Sequence, residues 1–245
     1  MPPSAPGATE PRSGRLEEGQ VRAMFDRIAG VYDRMNAVMT AGLDRRWRAR
    51  AADLAMVRPG QRALDVATGT GDLALELAAQ VAPGGDVVGC DFSEEMLERA
   101  RAKAVGAPVL ARFEWANALA LPYEAGSFDA ATVGFGARNF ADLGRGIAEM
   151  ARVVRPGGRV VILEITTPQR PPLAWFYVLW FDRAVPALGR LAGDRDAYAY
   201  LPSSVRRFPG PRELAGVMAG CGLAEIRWIV TAGGIIALHV GTVTA

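Results

Sequence analysis

The segment that most constrains the fold is ALDVATGTGD, at residues 63–72, where an apolar run leads into a glycine turn and then into a helical pattern. Glycine lets the backbone turn tightly and approach a ligand, and the first amides of the following helix are free to donate hydrogen bonds. In open α/β sheets, a unit of this kind binds ligands at the carboxyl end of the first strand. The segment therefore predicts such a sheet with a ligand-binding loop; the alternative is a tight turn with Asp72 as a helix cap.

The rest of the chain alternates short apolar runs with amphipathic stretches. Strands that alternate with helices form a parallel sheet covered on both faces, and the short Ala232-Gly233-Gly234 link before the last strand is typical of a hairpin. The prediction is a doubly wound, Rossmann-like α/β sheet, mostly parallel, that ends in an antiparallel hairpin. The predicted strands are 62–66, 86–90, 111–115, 127–133, 159–165, 224–230 and 235–240, and the helices between them are 71–81, 93–104, 143–154 and 211–221.

Segments outside the sheet give the chain a tail, a cap and an insertion. Residues 1–19 are rich in Pro, Gly, Ser and charge, and we expect a disordered tail. Residues 20–245 are predicted to form one domain, whose first part, 20–55, is a helical cap with a break near residues 41–42. The proline-rich residues 168–210 are predicted to form a helical insertion or lid before the last helix.

The amino-acid composition limits the partners and the kinds of reaction that this chain can have. With 28 basic and 26 acidic residues, the chain lacks the positive field expected of a general nucleic-acid binder, so we expect no nucleic-acid partner. Cys90, Cys221 and the single histidine, His239, predict neither a disulfide scaffold nor a metal site. Lys103 is the only lysine, which we attribute to a GC-rich genome rather than to a site. Any reaction that this chain catalyses must therefore depend on the positioning of its substrates, on carboxylate side chains or on a reactive cosubstrate.

The glycine loop carries acids that argue against a dinucleotide. Gly69, Gly71 and Ala74 fit the pattern G-x-G-x-x-[GA]. Asp65, however, lies inside the preceding strand, and Asp72 follows the loop, where a carboxylate would repel a pyrophosphate. S-adenosylmethionine carries a sulfonium and an ammonium and no phosphate, so it is the predicted cofactor.

Polar residues also follow the next two strands. Asp91 ends the second strand, 20 residues after Gly71, where an acid accepts hydrogen bonds from both ribose hydroxyls. Its alternative role is the N-cap of the next helix, for which Ser93 is the better candidate. Asn117 and Ala118 follow the third strand, where an amide reads the edge of an adenine; the alternative is a turn asparagine.

Together these segments resemble a class I S-adenosylmethionine-dependent methyltransferase. Longer segments are similar to the demethylmenaquinone and ubiquinone-pathway C-methyltransferase family (UbiE/MenG), over about residues 20–243. They are FDRIAGVYDRMNAVMTAGLDRRW at 25–47, GFGARN at 134–139, RVVRPGGRVVILEIT at 152–166, YLPSSVRRFP at 200–209 and GGIIALHVG at 233–241. The chain departs from residues that are common in the family at Thr40, Asp44, Gly134 and Thr166.

The resemblance implies a substrate and a set of contacts. The substrate class is a reduced, polyprenylated benzo- or naphthoquinone, with 2-demethylmenaquinol favoured. Methylation at carbon needs an electron-rich quinol, and the protein must align the reactants, stabilise the phenolate and exclude water. By position, the resemblance implies cofactor contacts at Thr70, Asp91, Asn117 and Ala118, and contacts near the reacting ring at Tyr32, Arg138 and Asn139.

Each candidate catalytic residue has a structural alternative. Arg138 stabilises the oxyanion; the alternatives are a solvated loop residue or a pair with an acid on a helix. Asn139 orients the oxyanion or a water. Tyr32 covers the cofactor, or packs as a helix aromatic. His239 is the natural base because its side chain titrates near neutrality, although a lone strand histidine is more often structural. Glu164 lines the pocket or is structural.

Two segments suggest contact with a membrane surface. The aromatic residues 175–181 are predicted to form either a core helix or an apolar lid that admits a polyprenyl tail. The apolar run is too short to span a bilayer. The arginines around Trp47 attract anionic lipids or lie on a solvated helix face. They are Arg45, Arg46, Arg48 and Arg50. We expect a cytoplasmic protein, peripheral at the inner face of the cell membrane, and the choice between monomer and homodimer stays open.

Other functions stay open at this point. If the substrate is a quinol, it is either the naphthoquinol or the benzoquinol of the ubiquinone pathway. Other lipids or phenols are alternative substrates for a methyltransferase. An oxidoreductase that uses NAD is the alternative from another class, because the glycine pattern also fits a dinucleotide.

Overall fold

The computed structural model describes residues 18–244, apart from 106, 108–109, 169–178 and 180–194. Most of the predicted tail and of the aromatic segment 175–181 therefore lies outside the described residues. Residues 18 and 19, which were assigned to the tail, begin the first helix instead.

One seven-stranded sheet organises the chain, in the order β3-β2-β1-β4-β5-β7-β6. β1 to β5 pair in parallel, and β7 pairs antiparallel with both β5 and β6. The predicted sheet with its terminal hairpin is confirmed. The strands are β1 (Arg62–Val66), β2 (Asp86–Asp91), β3 (Ala111–Trp115), β4 (Phe128–Gly134), β5 (Val154–Ile165), β6 (Leu223–Thr231) and β7 (Ile236–Val243).

β5 begins earlier than its sequence pattern predicts. The predicted strand was 159–165, preceded by a turn at Pro156-Gly157-Gly158, but the strand starts at Val154 and its register against β4 shifts between Phe128 and Ala130. Gly157 has φ +78°, in the left-handed region. The glycines thus make an irregular entry into a strand rather than a separate turn.

Eight α-helices are resolved among the described residues. The expected break near residues 41–42 is confirmed, and a second break at residues 29–31 was not predicted. Ser93 caps α5 as expected, because its Oγ accepts a hydrogen bond from the Met96 amide at 3.3 Å. The helices are α1 (Glu18–Ile28), α2 (Tyr32–Thr40), α3 (Asp44–Ala55), α4 (Asp72–Val81), α5 (Glu94–Val105), α6 (Leu143–Val153), α7 (Arg195–Arg207) and α8 (Pro211–Gly220).

Apolar side chains pack on both faces of the sheet. Leu77 and Leu97 belong to the core under α3, α4 and α5, and Ile147 and Met218 to the core under α6 and α8. Each fully buried side chain of this size stabilises the fold by about 1.5–3 kcal/mol. α7, which lies in the predicted insertion, packs with α1. No helix in the described ranges has the length and hydropathy needed to cross a membrane.

Candidate functional site

Two cavities open at the carboxyl ends of the parallel strands and share a wall. The smaller encloses about 700 Å³ and is lined by the ends of β1 to β4 and by α1. The larger encloses about 1690 Å³ between the cap helices α1–α3, α7 and the start of β7. Phe25, Tyr32 and Phe135 line both. The fold therefore holds two ligand-sized spaces in direct contact.

Of the predicted site residues, some line a cavity and others do not. The smaller cavity is lined by Tyr32, Gly69, Asp91, Asn117, Ala118 and Asn139. The larger is lined by Tyr32 and Arg138. The residues that line neither are Asp65, Thr70, Gly71, Asp72 and His239.

Asp91 presents a buried carboxylate to the smaller cavity. Its Oδ2 accepts a hydrogen bond from the Gly69 amide at 2.8 Å, and its Oδ1 accepts one from the Ser93 amide at 3.0 Å. Burial raises the pKa of Asp91 to about 6, although these amides oppose the rise. Each oxygen keeps a lone pair that can accept a hydroxyl donor from a ligand.

Asp65 and Gly71 support the conformation of the glycine loop on the side away from the cavity lining. Asp65 accepts hydrogen bonds from the hydroxyls of Thr132 at 2.6 Å and Thr68 at 2.7 Å, and burial raises its pKa to about 6. Gly71 has φ +86°, and an added Cβ would lie 2.8 Å from Cζ of Phe113. Only glycine fits this position without displacing the phenylalanine ring.

Thr70 and Asp72 belong to an ionic network beside the loop. Lys103 Nζ lies 2.6 Å from Asp72 Oδ1 and 2.7 Å from Asp33 Oδ2, and it donates to Thr70 Oγ1 at 2.8 Å. Thr70 Oγ1 donates in turn to Asp33 Oδ1 at 2.6 Å. The polar groups of both predicted cofactor residues are thus engaged with α2 and α5.

Two amides line the far side of the smaller cavity. Asn117 Oδ1 accepts from the Leu119 amide at 2.8 Å, as in a turn, and its Nδ2 donates to Glu18 of α1 at 3.0 Å. Asn139 Oδ1 is buried and has no hydrogen-bond partner in the described part of the chain. Asn139 lines the cavity, but this oxygen is covered by its neighbours, so it is an unpaired acceptor within the cavity wall.

Arg138 and Glu164 form a buried ion pair next to the larger cavity. Arg138 Nη1 lies 2.7 Å from Glu164 Oε1 and also donates to the Phe135 carbonyl, while the Arg138 amide donates to Glu164 Oε2 at 3.1 Å. Burial opposes the charge of Arg138, but Glu164 and nearby Tyr32 raise its pKa above the usual value. The Arg138 guanidinium is therefore a fixed cation at the cavity wall.

Sequence reasoning missed a second ion pair in the larger cavity. Arg48 was placed with its neighbours on a solvated or lipid-facing surface; it is 7 % exposed and pairs with Asp44, one turn earlier on α3. Thr40 also donates to Asp44 Oδ1 at 2.9 Å. Burial raises the pKa of Asp44, but Arg48 and Thr40 more than offset it and lower the pKa below its usual value. The i, i+4 spacing was the available signal.

Phe135 separates the two cavities. Its φ of +61° lies in the left-handed region, which is strained for a bulky residue and often marks a functional site. The Arg48 guanidinium carbon lies 5.5 Å from its ring centroid, and Trp47 packs edge-on with centroids 6.4 Å apart. The ring is held from the cap side by both contacts.

His239 lies away from both cavities. Its Nε2 is 2.8 Å from the Pro211 carbonyl oxygen at the start of α8, and its ring stacks on Trp228 with centroids 5.9 Å apart. Burial lowers the pKa of His239, and the Pro211 contact only partly offsets this effect. The position fits the structural alternative better than the role of a base.

Comparison with known sequences identifies a family. The model of the ubiE/COQ5 methyltransferase family matches residues 14–243. A protein from Thermus thermophilus named demethylmenaquinone methyltransferase is 47 % identical over 219 residues, 89 % of this chain and 99 % of that protein. One from Geotalea uraniireducens, named ubiquinone/menaquinone biosynthesis C-methyltransferase UbiE, is 41 % identical over 92 % of this chain and 97 % of that protein.

Solved structures support the fold. The [4+2]-cyclase SpnF has a TM-score of 0.68 at 17 % identity, covering 94 % of this chain and 97 % of that one. An S-adenosylmethionine-dependent methyltransferase from Thermotoga maritima, described as a possible histamine N-methyltransferase, has a TM-score of 0.62 at 19 % identity, covering 90 % and 98 %. These similarities establish a shared architecture with class I methyltransferases.

Proposed function

Because the chain belongs to the ubiE/COQ5 methyltransferase family, we propose that it methylates a ring carbon of a reduced polyprenylated quinone, 2-demethylmenaquinol, to form menaquinol. The methyl donor is S-adenosylmethionine, which brings a methyl group already activated on a sulfonium. The observation that carries the proposal is the pair of cavities that meet at Tyr32 and Phe135, one edged by polar strand ends and the other largely apolar.

The smaller cavity fits the donor. Asp91 offers free lone pairs to the two ribose hydroxyls, and Asn139 lines the same cavity. Asn117 and Ala118 line the same cavity, and we assign them to the side on which the adenine binds. Thermal shift tests this assignment: S-adenosylhomocysteine should raise the melting temperature and NAD should not, whereas the reverse would favour the oxidoreductase alternative.

The larger cavity fits an apolar ring with an isoprenoid tail. Most of its wall consists of aliphatic, methionine and aromatic side chains. The charged residues of its wall are Arg138, which pairs with Glu164 behind it, and the ion pair of Arg48 with Asp44. An apolar pocket with few convergent polar groups is the usual form of a small-molecule site.

In this arrangement the protein acts by positioning and by charge. Arg138 stabilises the quinol phenolate, whose electron pair makes the ring carbon nucleophilic. The bond from this carbon to the methyl group forms as the methyl–sulfur bond breaks, which leaves S-adenosylhomocysteine, and the ring carbon then releases its proton to solvent. Glu164 fixes the direction of that guanidinium, and Asn139 stands on the donor side of the same turn. Tyr32 and Phe135 hold the two reactants against each other and exclude water from the boundary. The test is methyl transfer to reduced demethylmenaquinone beside a demethylated benzoquinol.

We also propose a transient contact with the cytoplasmic face of the cell membrane, at the turn between α2 and α3. Val38 and Leu43 line the larger cavity yet are 60 % and 41 % exposed, and Arg45, Arg46 and Arg50 are exposed nearby. Apolar side chains flanked by cations suit a surface of anionic lipid, from which a prenyl tail would enter. Flotation with anionic liposomes tests the contact; the Val38→Ser, Leu43→Ser variant should stay in solution, and wild-type protein that fails to float contradicts it.

A further inference from the structure

The only lysine of the chain joins three separate elements. Lys103, in the last turn of α5, lies 2.7 Å from Asp33 of α2 and 2.6 Å from Asp72 at the start of α4. It also donates to Thr70 of the glycine loop at 2.8 Å, and Thr70 donates to Asp33 at 2.6 Å. One ammonium group with three oxygen partners thus ties the cap to the glycine loop.

The ionic contact matters because α2 is only partly anchored by apolar packing. None of its nine residues is fully buried, although Tyr32, Met35 and Met39 pack against the apolar cluster around α1. An element without fully buried side chains opens at a lower free-energy cost than a core helix, so polar contacts at its ends help to decide where it lies. Asp33, in its first turn, supplies such contacts to both Lys103 and Thr70.

The neighbours of the network are residues of the two cavities. Asp33 follows Tyr32, which lines both cavities, and Thr70 follows Gly69, which lines the smaller one. A Cβ added at Gly69 would lie 4.0 Å from Cε1 of Tyr32, so the tyrosine ring lies against the glycine loop. Fixing Asp33 to Thr70 therefore fixes the ring of Tyr32 over that loop.

We propose that Lys103 is a positioning residue for methyl transfer: by binding Asp33, Thr70 and Asp72 together, it holds Tyr32 at the boundary between donor and quinol. The inference rests on the proposed function. It also gives Lys103 a role that genome composition does not explain, and it assigns Thr70 and Asp72 to the support of the loop.

The single lysine allows a direct test that does not depend on turnover. In the untagged protein, an amine-reactive reagent modifies Lys103 and the N-terminal amine alone, and mass spectrometry measures both, with the terminus as internal reference. The labelling ratio of Lys103 to the terminus should rise about fivefold in Asp33→Asn, because one carboxylate partner is lost. S-adenosylhomocysteine should lower the ratio in the wild type. An unchanged ratio in Asp33→Asn contradicts the network.

Turnover tests the positioning role. Lys103→Met should lower kcat for the quinol about tenfold or more, with partial recovery in Lys103→Arg, which keeps the charge. Arg101→Met removes another cation of α5, which pairs with Glu94 and donates to the Phe113 carbonyl but has no contact with Asp33, Thr70 or Asp72, and it should keep wild-type kcat. If Lys103→Met lowers the melting temperature but keeps kcat, the role is structural and the proposal is wrong. If the wild type binds S-adenosylhomocysteine and shows the labelling response but methylates no quinol, the proposed function fails instead.

Discussion

Arg138 Nη1 lies 2.7 Å from Glu164 Oε1, and their side chains are 8 % and 1 % exposed. A buried pair of this kind fixes the guanidinium in one orientation, but a substitution in the pair changes the stability of the fold as well as the activity. Removal of one partner leaves an uncompensated buried charge, which costs about 3–5 kcal/mol. Any test of Arg138 must therefore separate a lost cation from a damaged fold.

We predict that Arg138→Gln, Glu164→Gln retains S-adenosylhomocysteine affinity and lowers kcat about 100-fold, the usual effect of removing a group that stabilises developing charge. The double variant removes both charges, so its free energy of unfolding should exceed that of Arg138→Ala. Calorimetry and urea unfolding measure the two properties. A double variant with wild-type kcat would contradict the assignment of Arg138.

Asp91→Ala should abolish binding of the donor. Two hydrogen bonds to a charged acceptor contribute about 1.5–3 kcal/mol each, so the Kd of S-adenosylhomocysteine should rise at least about 100-fold. Titration calorimetry measures the Kd, and far-UV circular dichroism controls for folding. Equal affinities for wild type and variant would refute the contact.

Asp65 gives a prediction for the pH dependence of stability. Burial raises its pKa to about 6, above the unfolded value. A carboxyl with a raised folded pKa stabilises the fold fully below the unfolded pKa, near 3.9, and that contribution is lost as the pH rises through the folded pKa. The free energy of unfolding of Asp65→Asn, relative to wild type, should therefore increase between pH 4 and 7, by up to about 3 kcal/mol. A difference that is flat across this range would contradict the shift.

A larger side chain in one cavity should weaken binding of the ligand assigned to that cavity and leave binding of the other ligand unchanged. Met35 lines only the larger cavity and Ala118 only the smaller. Because overpacking costs about 1–3 kcal/mol, Met35→Trp should raise the KM for the quinol about tenfold and spare the Kd of S-adenosylhomocysteine. Ala118→Phe should do the reverse. If both variants affect the same ligand, the assignment of the cavities is wrong.

Much of the fold and part of the site follow from local sequence. Short apolar runs bounded by glycine define the strands, and residues just after parallel strands gather at one edge, as Gly69, Asp91 and Asn117 do. The strand alternation also explains His239. Leu238 and Val240 face one core, so the histidine between them faces the other, beside α8.

Other features depend on contacts between distant segments. Arg48 is buried only because the cap folds over Phe135 and because Asp44 lies one helical turn away. Lys103 and Asp33 are 70 residues apart in the sequence, and no local pattern brings them together. Thr70 and Asp72 were correctly placed at the loop, yet their direction toward α2 and α5 depends on that long-range pairing.

The most direct test of the central claim is transfer of a labelled methyl group from S-adenosylmethionine to reduced demethylmenaquinone, with a demethylated benzoquinol assayed in parallel. We predict that the labelled methyl group appears on the ring carbon of menaquinol, and that the rate of transfer falls in Arg138→Gln, Glu164→Gln. Failure to label either quinol, by a protein that binds S-adenosylhomocysteine, would contradict it.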